Sequence, residues 1–241
     1  QRSVCNERAH TAHTSLPPQH KLATPNSTAA KMVKVICIHG TESGGSERHA
    51  KRLSKTWPKA NFDQSKDFMS GNDAASVGLE ALAAKYDAFV IVCSSYGDGD
   101  PPSNFENFLR LLYTSDEGVL AGKQHCVLGY GSTDYETFQN CPRLTDKLMG
   151  ALGSKRMLAR VEVDENETLT GDEAVAKWAK DVVAAFSKTC KSDVCEWTVP
   201  EDQILDKKSD LVGSSGGGVA GPLVALGVAG AAAAYYYMYL M

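Results

Sequence analysis

Residues 88–102 read Ala-Phe-Val-Ile-Val-Cys-Ser-Ser-Tyr-Gly-Asp-Gly-Asp-Pro-Pro. The first six are apolar without interruption, which is typical of a strand buried on both faces of a parallel sheet. Glycine, proline and hydroxyl side chains follow, so the strand ends in a loop. In a doubly wound α/β fold, the loops at the carboxyl ends of the strands form the ligand crevice. This stretch therefore predicts both the fold class and the place of a site.

Strand-like and helix-like patterns alternate on both sides of this stretch, at the interval that βαβ units require. The predicted strands cover residues 33–39, 60–62, 87–95, 124–131 and 155–163, and the predicted helices cover 46–57, 73–85, 104–113, 141–152 and 172–188. We therefore predict an α/β domain over residues 32–188, in which a doubly wound five-stranded parallel sheet lies between two layers of helices.

The composition excludes several classes of protein. Hydrophobic residues make up 43% of the 241 residues and charged residues 22%, so the chain can form a core and is not wholly disordered. The formal net charge of −4 argues against a dedicated nucleic-acid binder. Cys37, Cys93 and Cys126 lie in predicted core strands, which indicates a reducing compartment rather than a disulfide framework. No Cys-x-x-Cys spacing indicates a metal site.

Both ends of the chain differ in composition from the predicted domain. Residues 1–31 are basic, rich in hydroxyl side chains and start at Gln1, so we expect a transit-sequence remnant or a flexible extension. Residues 189–218 are polar and end in glycine and serine, which predicts a linker. Residues 219–241 carry no charge. As a helix they would be roughly 34 Å long, so we predict a transmembrane anchor; a buried or disordered tail is the alternative.

Small and hydroxyl side chains also follow the first predicted strand. The sequence there is Gly40-Thr41-Glu42-Ser43-Gly44-Gly45-Ser46, directly before a predicted helix. Backbone N–H groups, hydroxyls and the helix N-terminus could together bind an anion such as phosphate. The loop has neither the lysine of a Walker loop nor the spacing of a dinucleotide fingerprint, which argues against nucleoside triphosphates and NAD. An ordinary capping turn is the alternative interpretation.

Two further loops leave the same edge of the predicted sheet, and each carries a tyrosine beside glycine. Tyr96 and Gly97 follow the third strand, and Tyr130 and Tyr135 follow the fourth. Two tyrosine rings at this edge could hold a flat aromatic ligand between them. A single exposed tyrosine in a turn would carry little information, but three such loops at one edge indicate a ligand site.

The three loops together resemble those of flavodoxin, and most closely those of the FMN domain of diflavin reductases such as sulfite reductase flavoprotein and nitric oxide synthase. Residues 41–47 are similar to that family's Ser-x-Thr-Gly-Thr-Ala-Glu loop, and residues 95–102 to its Thr-Tyr-Gly-Glu-Gly-Asp-Pro-Pro loop. Residues 129–138 resemble its Gly-Leu-Gly followed by Tyr and Phe, and residues 164–178 resemble its closing acidic stretch and Trp. The resemblance covers residues 32–188 and implies a flavodoxin-like fold that binds FMN.

The resemblance also implies a role for each residue of the predicted cofactor site. The FMN phosphate would be held by Thr41, Ser43, Gly44 and Ser46, with backbone groups from Glu42 and Gly45. The flavin ring would lie between Tyr96 and Tyr135. The other predicted cofactor residues are Ser94, Ser95, Gly129, Tyr130 and Gly131. The Gly97 carbonyl would accept a hydrogen bond from flavin N5 after one-electron reduction. Gly45 stands where the family usually keeps Thr or Asn, so we expect one phosphate ligand fewer. We predict no catalytic residue and no metal ligand.

Charge and length complete the functional hypothesis. Residues 91–140 contain seven acidic and two basic side chains, which predicts an acidic surface beside the flavin edge that attracts a basic redox partner. We expect no NADPH-binding or second flavin domain in the remaining residues. We therefore expect a membrane-anchored electron carrier, rather than a substrate-converting enzyme, that passes single electrons between separate proteins such as a reductase, a ferredoxin or a photosystem-type complex.

Two alternatives stay open. One is a structural or accessory subunit of a photosynthetic or respiratory membrane complex, with or without FMN, in contact with other membrane-protein subunits. The other is a flavodoxin-type quinone reductase, which would need an apolar pocket over the ring. For location, we expect the folded domain on the stromal side of the chloroplast thylakoid, in preference to mitochondrion or endoplasmic reticulum.

Overall fold

A computed structural model of the chain describes residues 32–188 and 190–213, without the side chains of 168–172. The predicted N-terminal extension, 1–31, and the predicted membrane anchor, 219–241, lie outside the described residues. Within the described ranges, no helix has both the length and the apolar character needed to cross a bilayer.

A parallel sheet forms the middle layer of the domain. Its strands are β1 Val35–Gly40, β2 Phe68–Ser70, β3 Ala88–Ser94, β4 Gln124–Gly131, β5 Lys155–Arg156 and β6 Val161–Asp164. The order across the sheet is β2-β1-β3-β4, and β5 and β6 both pair with the outer edge of β4. All of these pairings are parallel. Residues of β1, β3 and β4 are buried almost throughout, because helices cover both faces of the sheet.

Helices cover the two faces. They are α1 Gly45–Ser54, α2 Gly71–Val77, α3 Leu79–Lys85, α4 Glu106–Thr114, α5 Asn140–Ala151, α6 Thr168–Ala185 and α7 Lys208–Val212. Alternate residues of a strand point to opposite faces. Ile36 and Ile38 of β1 therefore pack with residues of α2 to α5. Val35 and Cys37 pack on the other face, with residues of α1 and α6. The three-layer α/β architecture predicted from the sequence is confirmed.

The predicted second strand, 60–62, is wrong. Residues 60–62 lie in turns, where the Asn61 side chain donates a hydrogen bond to the Val33 carbonyl at 2.9 Å and the Asn61 carbonyl accepts one from the Val35 N–H at 3.0 Å. Phe62 is buried against Trp57, with ring centroids 4.8 Å apart. Ala60 and Phe62 are apolar and alternate with polar Asn61, which suggests a strand, but the three residues support β1 from its end. The edge strand β2 comes later, at Phe68–Ser70.

Two further predicted elements are divided in the structure. The predicted helix 73–85 is two helices, α2 and α3, which meet at Gly78 with a φ of 90°. The predicted fifth strand, 155–163, is the two short strands β5 and β6. Four residues, 157–160, lie between them opposite only two residues of β4, so the edge of the sheet bulges there.

A buried ionic cluster holds this edge against α5. Asp146 of α5 lies 2.9 Å from His125 Nε2 and accepts a hydrogen bond from Arg156 Nε at 2.8 Å. Arg160 contacts both Asp146 and Glu162. Burial acts to raise the pKa of Asp146, but its hydrogen bond with His125 and the neighbouring arginines outweigh burial and lower the pKa. The carboxylate is therefore charged and paired in the folded protein.

Residues 190–213, which we name the C-terminal extension, pack against the domain. Ile204 is buried in the cluster beneath α4 and α5, and Trp197 and Leu211 pack against the same cluster. Arg110 of α4 donates a hydrogen bond from Nε to the Leu211 carbonyl at 2.6 Å. The linker predicted for 189–218 therefore needs correction over its described part, which belongs to the folded domain.

Candidate cofactor site

Two adjoining cavities lie at the carboxyl ends of β1, β3 and β4. Their volumes are about 290 Å³ and about 430 Å³, and Ser43, Ser94 and Glu165 line both. Because they share these residues, we treat them as one crevice. All predicted cofactor residues except Gly44 and Gly129 line this crevice. The structure thus brings together three loops that are far apart in the chain.

The first loop ends in the N-terminus of α1. Gly44, with a φ of 83°, precedes the helix, and its N–H donates a hydrogen bond to the Thr41 hydroxyl at 2.9 Å. Among the described residues no side chain caps α1, and the first amides of a helix have no partner within it. Gly45 and Ser46 line the crevice. The positive end of α1 therefore faces the crevice, where it favours an anion.

Thr41 and Glu42 shape this loop from within. The Thr41 side chain is buried, and the Thr41 N–H donates to Asn104 Oδ1 at 2.8 Å. The Glu42 carboxylate accepts a hydrogen bond from the Ser103 N–H at 2.7 Å. Both residues therefore connect the first loop to the segment that follows the second loop. This is a structural role in addition to the phosphate contacts predicted for them.

Gly45 is not required by packing. A Cβ placed there would have Ser43 Oγ, at 4.0 Å, as its nearest neighbour. The backbone at Gly45, unlike that at Gly44, does not have a positive φ. A larger side chain would therefore fit at the α1 end of the crevice, where glycine has no side chain that could contact a phosphate.

The second loop is a tight hairpin. Tyr96 and Asp100 exchange two backbone hydrogen bonds, of 2.9 and 2.7 Å, and Gly97 and Gly99 between them have φ values of 50° and 82°. The Tyr96 side chain is 54% exposed at the mouth of the crevice. Ser95 Oγ accepts a hydrogen bond from the Cys141 N–H at 2.9 Å, so this predicted ligand anchors the hairpin to α5.

The third loop carries Tyr135, which is 62% exposed and lines the same part of the crevice. Asp164, at the end of β6, accepts hydrogen bonds from the Thr133 hydroxyl at 2.5 Å and from the Asn166 N–H at 3.0 Å. These hydrogen bonds lower the pKa of Asp164. The charged carboxylate therefore fixes the loop that presents Tyr135.

Two predicted cofactor residues, Gly129 and Tyr130, are buried. Gly129 lies beneath the start of α5, where a Cβ would come within 2.0 Å of Gln139 Oε1 and 2.7 Å of Pro142 Cβ. Glycine is needed there for packing. Tyr130 is buried at the inner wall of the first cavity, with its ring centroid 4.9 Å from that of His49.

Several residues that line the crevice are not among those predicted from the sequence. His49 lies three positions after Ser46 on α1, so helical periodicity from that predicted ligand could have found it. Gln139 could not have been found in this way. It is a non-glycine residue with a φ of 62°, and its amide Nε2 donates to the Val163 carbonyl at 3.0 Å, joining the third loop to β6.

The donor groups of the crevice suit FMN. Amides and hydroxyls at the α1 end match a phosphate group, which needs hydrogen-bond donors, while Asp164, Glu165 and Glu167 line the opposite part of the same cavity, on β6 and the segment after it. The two exposed tyrosines at the other end suit a flat aromatic ring. Residues of the three loops line the space between these ends.

Comparison with known proteins identifies the family. A sequence model of flavodoxin matches residues 38–178. The chain belongs to the flavodoxin family. This is an electron-transfer domain whose cofactor is FMN, as the resemblance of the three loops implied.

Curated relatives include NADPH-dependent diflavin oxidoreductase 1 of Xenopus laevis, 27% identical over 150 residues, which are 61% of this chain and 24% of that protein. The human NADPH–cytochrome P450 reductase is 30% identical over 139 residues, which are 57% of this chain and 20% of that protein. The chain therefore spans only a quarter or less of these relatives.

Among solved structures, a Streptococcus pneumonia flavodoxin superposes with a TM-score of 0.51 at 21% identity, over 62% of this chain and 97% of that one. This likeness supports the fold.

Proposed function

We propose that this flavodoxin-family chain passes single electrons between two separate redox proteins, with FMN bound in the crevice. The observation that carries the proposal is the arrangement of one crevice, with the N-terminus of α1 at one end and two half-exposed tyrosines at the other. FMN supplies one-electron chemistry when bound. The chain binds the phosphate, orients the ring between Tyr96 and Tyr135, and leaves the mouth open to a partner.

Charge at the mouth supports a basic partner. Asp98 at the tip of the second loop, and Asp134 and Glu136 on either side of Tyr135, are exposed. We name these three residues the acidic rim. Complementary charge raises the rate at which proteins meet, and this effect weakens as salt increases. A redox partner with a basic surface is therefore the one that this rim would select.

The acidic rim can be tested with charge reversal. The variant Asp134→Lys is compared with Glu80→Lys, which changes an exposed acid on α3 that does not line the crevice. The FMN-loaded, reduced protein is mixed with a basic haem protein, cytochrome c, and the rate of haem reduction is measured at low salt and at about 1 M salt, where the Debye length is about 3 Å.

We expect Asp134→Lys to slow the reaction several-fold at low salt and to match the unchanged protein at high salt, while Glu80→Lys has a much smaller effect. Equal rates for the two variants at low salt would refute docking at the rim. They would leave FMN binding itself unaffected.

We further propose that residues 219–241 anchor the chain in a membrane, with the flavodoxin domain in a reducing compartment and the chloroplast thylakoid as the expected location. The support is the uncharged composition of this segment, together with the tyrosines near its end. The full chain should require detergent for extraction, and a chain ending at residue 213 should not. If the shortened chain also required detergent, the anchor would lie elsewhere.

A further inference from the structure

The C-terminal extension reaches the loop that carries Tyr96. Lys207 Nζ lies 2.7 Å from Asp100 Oδ1. Asn140, the first residue of α5, donates a hydrogen bond from Nδ2 to the Gly99 carbonyl at 2.8 Å and accepts one at Oδ1 from the Leu205 N–H at 2.8 Å. The extension is thus joined to the tip of this hairpin at two neighbouring residues.

The Asn140 amide is placed to hold both segments at once. Its residue is 1% exposed, and Nδ2 also lies 3.2 Å from the Leu205 carbonyl oxygen. A buried amide that makes this set of hydrogen bonds cannot rotate without losing several of them. A Cβ placed at Gly99 would lie 2.9 Å from the Asn140 Cβ, so the hairpin also packs directly on this residue.

Lys207 adds a charged contact to the hairpin, and its own side chain has little freedom to move. Its side chain is only 10% exposed, while that of Asp100 is 46% exposed. The neighbouring residues are fixed as well. The Tyr113 hydroxyl of α4 donates to Asp206 Oδ1 at 2.6 Å and accepts a hydrogen bond from the Lys207 N–H at 3.2 Å. The lysine therefore approaches the hairpin from a segment that is itself held on α4.

The hairpin can transmit a displacement to the crevice. Asp100 is bonded to Tyr96 through two backbone hydrogen bonds, and only three residues lie between them. Tyr96 and Gly97 line the crevice, whereas Asp100 does not. Movement of Asp100 therefore moves the two residues that face the cofactor.

We propose that Asn140 and Lys207 are positioning residues that set the reduction potentials of bound FMN by fixing the hairpin from Tyr96 to Asp100. The inference rests on the proposed function, because it needs FMN in the crevice. The protein groups around a flavin tune its potentials, so a change in the hairpin should be measurable as a change in those potentials.

Three variants of the full chain test the inference. Lys207→Met removes the charge and keeps the aliphatic length, Asn140→Ala cuts the uncharged connection, and Lys208→Met is the matched control on an exposed neighbouring lysine. The two one-electron midpoint potentials of each FMN-loaded protein are measured by redox titration, and FMN affinity is measured by fluorescence.

We expect the ratio of the two one-electron equilibrium constants to change about tenfold in both Lys207→Met and Asn140→Ala, which is about 59 mV in the separation of the potentials. Lys208→Met should stay within threefold of the unchanged protein. A change confined to Lys207→Met would show an effect of charge alone and would overturn the inference, as would no change in either variant.

Hydrogen exchange on the unchanged protein covers the case in which Asn140→Ala does not fold. FMN binding should slow exchange of the Leu205 amide several-fold, since that N–H is bonded to Asn140. If FMN binds but the exchange rate of the Leu205 amide is unchanged, the inference is overturned and the proposed function is not affected. Failure of the unchanged protein to bind FMN would instead refute the proposed function.

Discussion

Replacement of Gly45 by Thr should strengthen FMN binding. Gly45 is the first residue of α1, and a Cβ there would have its nearest neighbour, Ser43 Oγ, at 4.0 Å. The family usually has Thr or Asn at this position, and the structure has room for either. One added hydrogen bond to a charged group stabilises by about 1.5 to 3 kcal/mol. The dissociation constant for FMN should therefore fall by about ten- to a hundredfold.

The matched control is Gly45→Val, which has nearly the same shape as threonine without its hydroxyl. Both variants lose the backbone freedom of glycine, so both should change the stability of the cofactor-free protein by about the same amount, within roughly 1 kcal/mol. Affinity is measured by quenching of FMN fluorescence. If Thr and Val at position 45 gave the same dissociation constant, the hydrogen bond from the added hydroxyl to the phosphate would be refuted.

Three other predictions concern Tyr96 and the buried ionic cluster around Asp146. Tyr96→Ala should raise the dissociation constant for FMN by about three- to tenfold, because stacking on the ring is lost. The melting temperature of the cofactor-free protein should change little, because the Tyr96 side chain is 54% exposed. An unchanged affinity in the FMN titration would show that Tyr96 does not contact FMN. Asp146→Asn should lower the free energy of unfolding in urea by about 3 to 5 kcal/mol, because the Arg156 and Arg160 side chains, only 11% and 10% exposed, lose the charge that they share. A loss below about 1 kcal/mol would contradict this role of the cluster. The pKa values of Asp146 and Glu162 are lowered in the folded protein, although burial opposes the change. The stability that these carboxylates add is therefore present above their pKa values in the unfolded chain, near pH 4, and is lost as the pH falls through their lower pKa values in the folded protein. The melting temperature should drop below about pH 4, and less steeply in Asp146→Asn.

The central strands could be predicted because their signal is local. Phe89, Val90 and Ile91 belong to one uninterrupted apolar run, and they are buried between both helical layers. The edge of the sheet gave no such signal. Phe68–Ser70 is a half-buried strand of three residues, whereas Ala60 to Phe62, which were predicted as a weak strand, support β1 from a turn.

The loops of the site were predictable, but the role of each residue in them was not. Gly129 stands in a glycine-rich motif, yet the structure needs it for the packing of Gln139 and Pro142. Gln139 itself adopts a backbone conformation that its residue type does not indicate. Such roles depend on contacts between distant parts of the chain, which a local pattern does not contain.

The C-terminal extension shows the same limit. Trp197, Ile204 and Leu211 stand in a mainly polar stretch that also contains Pro200, so the segment resembles a linker. Each of these side chains finds its partners in the apolar cluster that α4 and α5 also form. Its connection to the second loop through Asn140 appears only once the chain is folded.

The proposed electron transfer depends on FMN binding in the crevice between the first, second and third loops. Binding can be measured by titrating the purified full chain with FMN and following the quenching of flavin fluorescence. We expect one FMN per chain, with affinity weakened by Tyr96→Ala and strengthened by Gly45→Thr. Fluorescence that stays unquenched at a large excess of protein over FMN would contradict it.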